Sequence, residues 1–223
     1  MNVSDAVRTR KSVRVFLERP VSVDTLREVL ALAARAPSGG NVQPWRLFVL
    51  TGTSLAAFRQ RMQTRLREAP QGEPVEYDVY PHDLWEPYRS ERFDVGEQMY
   101  ALLGIPREDK AARLRQLAHN FDFFGAPAGL FCFVDRRMGP PQWSDLGMYL
   151  QTVMLLLRER GLDSCPQECW ARYPQSVRDF VNPPPEWMLF CGMAIGYADP
   201  QAPVNGLESR RLPLDQFACF LCD

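Results

Sequence analysis

Residues 23–35 read VDTLREVLALAAR, with Leu26, Val29, Leu30 and Ala33 at spacings of three, four and seven. Apolar residues spaced this way fall on one side of an α-helix, so an amphipathic helix is expected there, capped by Ser22. A short helix is expected over about 5–10, with Ser4 as its cap. From Thr53 or Ser54 a third helix carries Leu55, Phe58, Met62 and Leu66 on one stripe, with Arg59, Arg61, Arg65 and Arg67 opposite. Gly104 and Pro106 split two further helix patterns, about 88–103 and 107–120. From Trp143 to Arg160 apolar residues spread widely around the helix, which predicts burial in a core or a dimer interface. Gly161 follows as its terminating glycine.

Three runs lack the helical period. RLFVLTG (46–52), the stretch 128–134 within GAPAGLFCFVDRR, and WMLFCGMAIGYADP (187–200) read as buried strands. Residues 162–174, LDSCPQECWARYP, read as a turn-rich loop whose backbone could face a ligand, followed by a short helix at about 175–180. The stretch 69–93 fits neither period. Pro70, Pro74, Pro81 and Pro87 interleave there with Tyr77, Tyr80, His82, Trp85 and Tyr88. Dense prolines preclude regular structure, while aromatics need burial. This excursion is expected to be a binding lid, or an arm against a second subunit. Helices alternating with a few buried strands predict an α+β or α/β layer fold, built as one domain over 1–223.

Composition narrows the function classes. A formal net charge of −1 gives no global field for nucleic acid or an anionic membrane. No run of 18 apolar residues occurs and the N-terminus has no apolar secretory core, so a cytoplasmic protein without a membrane span is expected. The six cysteines include Cys219 and Cys222 in a lone C-x-x-C, and the two histidines lie far apart, so a metal site is not expected. Phosphate-loop, dinucleotide-fold, zinc-protease and serine-elbow motifs are all missing.

Three polar features remain. Arg8, Arg10, Lys11 and Arg14 cluster near Ser12, as a solvated face or as an anion site. The loop APSGGNVQPW (36–45) is either an ordinary helix-to-strand turn or a wrap for a planar, polar-edged ligand. Its Pro37 ends the preceding helix, Gly39 and Gly40 permit close approach, and Ser38, Asn41 and Gln43 offer donors and acceptors. Arg210 and Arg211 close the tail. Taken together they describe a site with a phosphate end and a planar amide end, suited to a phosphorylated, ring-bearing cofactor that brings its own chemistry.

RTRKSVRVF, APSGGNVQPWRLFVLTG, FFGAPAGLF, QWSDLGMYLQTVMLLLRERGLDSCPQE, GMAIGYADP and NGLESRRLPL, in that order, resemble the nitroreductase family of FMN-dependent flavoproteins. The resemblance covers essentially the whole chain. It implies an α+β, three-layer fold with a mixed central sheet flanked by helices, assembled as an intertwined homodimer with FMN at the subunit interface. By resemblance, Arg10, Lys11 and Ser12 bind the FMN phosphate, ribityl chain and ring edge, and Arg211 with Arg210 completes the phosphate clamp. Pro37, Ser38, Gly39, Asn41 and Gln43 come from the neighbouring subunit, while Pro166, Gln167 and Glu168 run along the ring. The implied activity takes hydride from NAD(P)H and reduces a nitroaromatic or quinone-like acceptor by a ping-pong mechanism. No catalytic side chain is assigned.

The match has departures. Lys11 stands where many members have arginine, and Glu208 where many are basic. Asn120 is the candidate for a mid-chain ring contact. Tyr77, Tyr80, Trp85 and Tyr88, with Phe121, Phe123 and Phe124, are candidates for the acceptor pocket, the phenylalanines also for the core. Other flavin chemistry on this fold (dehalogenation, enone reduction, azoline oxidation) and a non-catalytic flavin-binding protein stand as alternatives.

Overall fold

The computed structural model describes residues 1–222. Four strands form one sheet: β1 (Arg46–Thr51), β2 (Ala128–Asp135), β3 (Asp163–Gln167) and β4 (Trp187–Gly196). Their order is β1-β2-β4-β3, and all three pairings are antiparallel. Seven helices surround it: α1 (Val3–Thr9), α2 (Val23–Ala33), α3 (Gly52–Glu68), α4 (Tyr88–Leu102), α5 (Lys110–Ala118), α6 (Pro140–Glu159) and α7 (Pro174–Val181).

The expected mixed sheet is corrected here. The parallel contact is a single bridge, Ser12 to Ser164. It cannot lengthen into a strand because the Asn205 side chain takes the next backbone donors: its Oδ1 accepts from Arg14 N at 2.9 Å and from Val15 N at 3.3 Å. The expected loop at 162–174 is corrected too, since it opens as β3. Proline tolerates this place because β3 is an edge strand with one neighbour, where a missing N–H goes unnoticed. Ser22 caps α2 as expected, accepting from Thr25 N. The cap of α1 is Asn2, whose Oδ1 accepts from Asp5 N at 2.9 Å, rather than Ser4.

Side chains alternate across the pleat and split the core in two. Ala128, Leu130, Cys132 and Val134 meet α2 and α6 on one face. Phe131 and Phe133 meet α3, Phe123 and Trp170 on the other. Helix α6 is apolar so widely because it lies in the first core, with Leu146, Tyr149, Val153 and Leu157 almost fully buried. On the second face Gly129 and Gly192 clear space for rings. A Cβ at Gly129 would come within 2.6 Å of the Phe123 ring, and one at Gly192 would overlap Trp170.

One irregularity fixes the excursion to the sheet. The register passes from Cys132–Cys191 to Phe133–Leu189, leaving Phe190 unpaired in a bulge. The Tyr77 hydroxyl donates to the Phe190 carbonyl that the bulge frees. Nearby, Glu76 accepts from Leu189 N at 3.3 Å and pairs with Arg136 at 3.0 Å. The excursion is therefore tied down at 73–77 and runs largely exposed over 80–87.

Candidate functional site

The cationic end is built by chain geometry. Helix α1 stops at Arg10, whose backbone turns extended. The Ser12–Ser164 bridge and the bond from Val13 N to Ser164 O, 3.0 Å, then lay residues 10–13 beside β3. Arg211 arrives from the tail. Burial lowers the Arg10 pKa, and the nearby Arg211 charge lowers it further. Arg211 itself donates to Ser209 O at 2.9 Å, Ser209 Oγ at 2.6 Å and Arg210 O at 2.9 Å. Among the described residues, neither Arg10, Lys11, Arg14 nor Arg211 has an acidic partner within ion-pair distance. Like charges held together without a counter-charge favour an anion. Arg210 stands apart from this group, because Glu91 on α4 pairs with it.

The 37–43 loop is shaped by its backbone. Gly40, Asn41 and Gln43 all have positive φ, at 55°, 56° and 48°. Asparagine tolerates that region better than most residues, and Gln43 needs the local bonds that hold it there. Gln43 N donates to Ser38 Oγ at 3.0 Å, and Gln43 Nε2 to Asn41 O at 3.2 Å. Both carboxylate oxygens of Asp145 accept from Gly39 N at 3.3 Å. Asp145 is 4% exposed on α6, so the loop is pinned from inside while Pro37, Asn41 and Gln43 stay exposed. Sequence reasoning missed Asp145. Its signal was a lone acid on the stripe of Tyr149 and Val153 in an otherwise apolar helix. Within one chain no hydrogen bond or ion pair among the described residues joins this loop to Arg10, Lys11, Ser12 or Arg211.

The 166–168 segment ends β3 at the wall of a cavity of about 570 Å³, lined also by Tyr77, Tyr80, Arg92 and Asn120. Pro166 and Glu168 are exposed, while Gln167 is buried. The Gln167 amide is fully used: its Nε2 donates to Asn120 O at 2.7 Å and its Oε1 accepts from Trp170 Nε1 at 3.2 Å. Its side chain is therefore a fixed strut, and what this stretch presents outward is backbone. The surrounding protein raises the Glu168 pKa even though part of that residue meets solvent. Burial pushes the Cys165 thiol up to about 11, against the pull of Arg14, the Ser12 hydroxyl and Arg10, so it stays protonated at neutral pH.

The aromatic candidates divide. Tyr77 and Tyr80 line the cavity. Trp85 and Tyr88 do not; they pack edge-on at 5.5 Å on the outer surface. Phe121, Phe123 and Phe124 are core residues against Trp170 and Phe58. Asn120 joins the site through Gln167. No group of three or more histidine, cysteine, aspartate or glutamate side chains suited to a metal ion lies among the described residues, and no helix there is long and apolar enough to cross a membrane.

Comparison with known proteins gives a consistent family. The model of the Nitroreductase family matches residues 7–197. Nitrobenzene nitroreductase of Ectopseudomonas oleovorans is 36% identical over 219 residues, 98% of this chain and 96% of that protein. The 4-nitrobenzoate reductase of Pseudomonas putida is 38% identical over 215 residues, 96% of this chain and 93% of that protein. Among solved structures, the FMN and NADPH-dependent nitroreductase NfnB from Sphigopyxis sp. strain HMH superposes with a TM-score of 0.96 at 47% identity, covering 100% of both chains.

Proposed function

The chain belongs to the nitroreductase family, and from that premise we propose that it is an FMN-dependent oxidoreductase taking electrons from NAD(P)H and giving them to a nitroaromatic or quinone-like acceptor. The observation that carries this reading is that Arg10 and Arg211 lie near enough for one charge to act on the other, with no acid within ion-pair distance of either among the described residues. A phosphate dianion supplies the missing charge, and charge-assisted bonds to it contribute about 1.5–3 kcal/mol each. These residues therefore fit the phosphate end of FMN. Arg10, Lys11 and Arg211 hold that phosphate, and Ser12 donates a hydrogen bond beside it.

FMN, when bound, supplies the two-electron chemistry. The protein positions and polarises. Pro166, Gln167 and Glu168 present backbone along the ring, and Gln167, locked between Asn120 and Trp170, keeps that backbone in place. The loop of Pro37, Ser38, Gly39, Asn41 and Gln43 belongs to the site of a second copy of the chain. This accounts for its exposed polar groups and for the absence, among the described residues, of any hydrogen bond from it to Arg10 in its own chain. The tail supports the same homodimer: Leu214, Phe217, Phe220 and Leu221 are exposed in the single chain, Leu221 at 95%, and apolar groups gathered like this mark a buried contact. No side chain acts as nucleophile. Donor and acceptor using the bound flavin in turn, never together, would give ping-pong kinetics. The whole chain forms one flavin-binding unit, with 69–93 as its lid. All six cysteines are free, which suits the reducing cytoplasm.

The test is a visible spectrum of the purified protein. A yellow dimer, bleached by NAD(P)H without oxygen and recoloured by a nitroaromatic, is expected. Colourless material that takes up no added FMN overturns the reading. A yellow protein that neither nicotinamide bleaches is a flavin-binding protein instead.

A further inference from the structure

The 37–43 loop and the residues that follow it are fastened at two points to one face of α6. At the start both Asp145 carboxylate oxygens accept from Gly39 N at 3.3 Å. Past its end the Trp45 ring stacks on Tyr149, with centroids 4.7 Å apart and planes 17° from parallel. Asp145 and Tyr149 are four residues apart, so they lie one above the other on the helix. They are 4% and 1% exposed. The Tyr149 hydroxyl donates in turn to Leu30 O at 3.1 Å, which fixes the ring against α2. Between the two fastenings Gly40, Asn41 and Gln43 hold positive φ and stay exposed. The polar groups of the loop are thus presented outward from a rigid base.

Stability does not account for Asp145. Among the described residues no cation lies within ion-pair distance of it, and Gly39 N is the donor its carboxylate has. That one N–H is shared by two oxygens, at a length beyond the roughly 2.7–2.9 Å of a good charge-assisted bond. Burying a carboxylate on such a bond costs the fold free energy that an apolar residue there would not. What the carboxylate supplies is a fixed place for Gly39, where the tight turn Gly39–Asn41 begins. Resting on the flavin-binding homodimer read above, we propose that Asp145 is a positioning residue that acts across the subunit boundary. It sets the flavin affinity of the site in the second copy, and not that of the site in its own chain. Arg10, Lys11 and Arg211 act within their own chain. Each site therefore draws its phosphate clamp from one copy and its supported loop from α6 of the other.

The experiment is complementation within a mixed dimer. Two differently tagged full-length chains, one Asp145→Asn and one Arg211→Ala, are co-expressed, and the mixed dimer is isolated through both tags. Its apoprotein is titrated with FMN by fluorescence, beside each homodimer. The Asp145→Asn homodimer should stay dimeric and bind FMN about tenfold more weakly than wild type at both sites. The mixed dimer should take one FMN at wild-type affinity, because one of its sites combines an intact clamp with an intact loop while both changes fall in the other. If Asp145 acts within its own chain, no site of the mixed dimer is intact, and two weak sites overturn the proposal. Wild-type affinity in the Asp145→Asn homodimer overturns it as well. If Asp145→Asn does not fold, Gly39→Pro removes the same bond from the loop side. Gly39 N has no other acceptor among the described residues, and a Cβ there meets nothing within 4 Å. Gly39→Pro should weaken FMN and complement Arg211→Ala in the same way; unaltered affinity, or two weak sites in its mixed dimer, again overturns the proposal. Wild-type protein that binds no FMN, or binds it as a monomer, removes the reading on which this inference rests. A yellow wild-type dimer whose mixed form has two weak sites removes this inference alone.

Discussion

Arg211 separates binding from folding at the level of one residue. Among the described residues its bonds reach only Ser209 and the Arg210 carbonyl, so the fold gains little from its charge. Arg211→Ala should weaken FMN by about 10- to 100-fold, the loss of one charge-assisted contact of roughly 1.5–3 kcal/mol. Fluorescence titration of the apoprotein with FMN measures this, and an unaltered dissociation constant would refute the assignment. Stability of the apoprotein should not change. His119 behaves in the opposite way. Its hydrogen bond to Asp122, 3.1 Å, raises its pKa, with burial opposing. A raised folded pKa means the stabilisation is complete below the ordinary value of about 6.5 and disappears as pH rises through the folded pKa. Both side chains are well exposed, at 56% and 36%, so screening keeps the effect under about 1 kcal/mol. His119→Gln should shift the urea midpoint at pH 5.5 and not at pH 9; equal shifts at both would mean the pair is not ionic. Much of this scale was readable from sequence. Ser22 is a cap because its hydroxyl precedes an apolar period. Asp145 was not readable, because its partner, Gly39 N, lies 106 positions away.

Elements are legible where one period dominates. Helices α2 and α6 and strands β2 and β4 carry long, unambiguous patterns, and each occurs within a few residues of its expected bounds. Strand β3 was lost in the reading of 162–174 because DSCPQ has one proline and no alternation. An edge place excuses the proline, and edges are properties of the assembled sheet. The excursion was legible as irregular but not as anchored. Its anchor is Glu73, 2% exposed, which accepts from Arg65 Nε at 2.8 Å, from Ser176 N at 2.9 Å and from Ser176 Oγ at 2.5 Å. It thereby ties the start of the excursion to α3 and to the first turn of α7. Glu73→Ala strands these donors and should cost about 2–3 kcal/mol, less than a fully buried pair because Arg65 keeps Glu68 and some water. For a chain of this size that lowers Tm by roughly 5–10 °C. Chymotryptic cleavage near Trp85 should also accelerate. A variant with native Tm and native cleavage would show that the excursion is held elsewhere.

At the scale of the whole molecule, no hydrogen bond or ion pair among the described residues joins the two parts of the proposed site within one chain, and only family resemblance joins them in the sequence. The tail provides the decisive test, because its energetics differ between a lone chain and a pair. In the single chain Leu214, Phe217, Phe220 and Leu221 are exposed at 54%, 65%, 71% and 95%. They bury little there, so removing residues 214–223 from a monomeric protein should leave its stability almost untouched. In the proposed homodimer the same side chains would be buried on the partner, where each large apolar group would contribute about 1.5–3 kcal/mol. Several such contributions are comparable with the free energy that holds a dimer together. The truncated chain should therefore run as a monomer by light scattering after size exclusion. It should also lose most of its flavin although Arg10 and Arg211 are both intact, because the 37–43 loop of the second copy is no longer delivered. That pairing of results separates the tail from the phosphate clamp, since Arg211→Ala should weaken flavin binding and leave the oligomeric state unchanged. A truncated protein that remains a yellow dimer would show that the tail is not what joins the two copies.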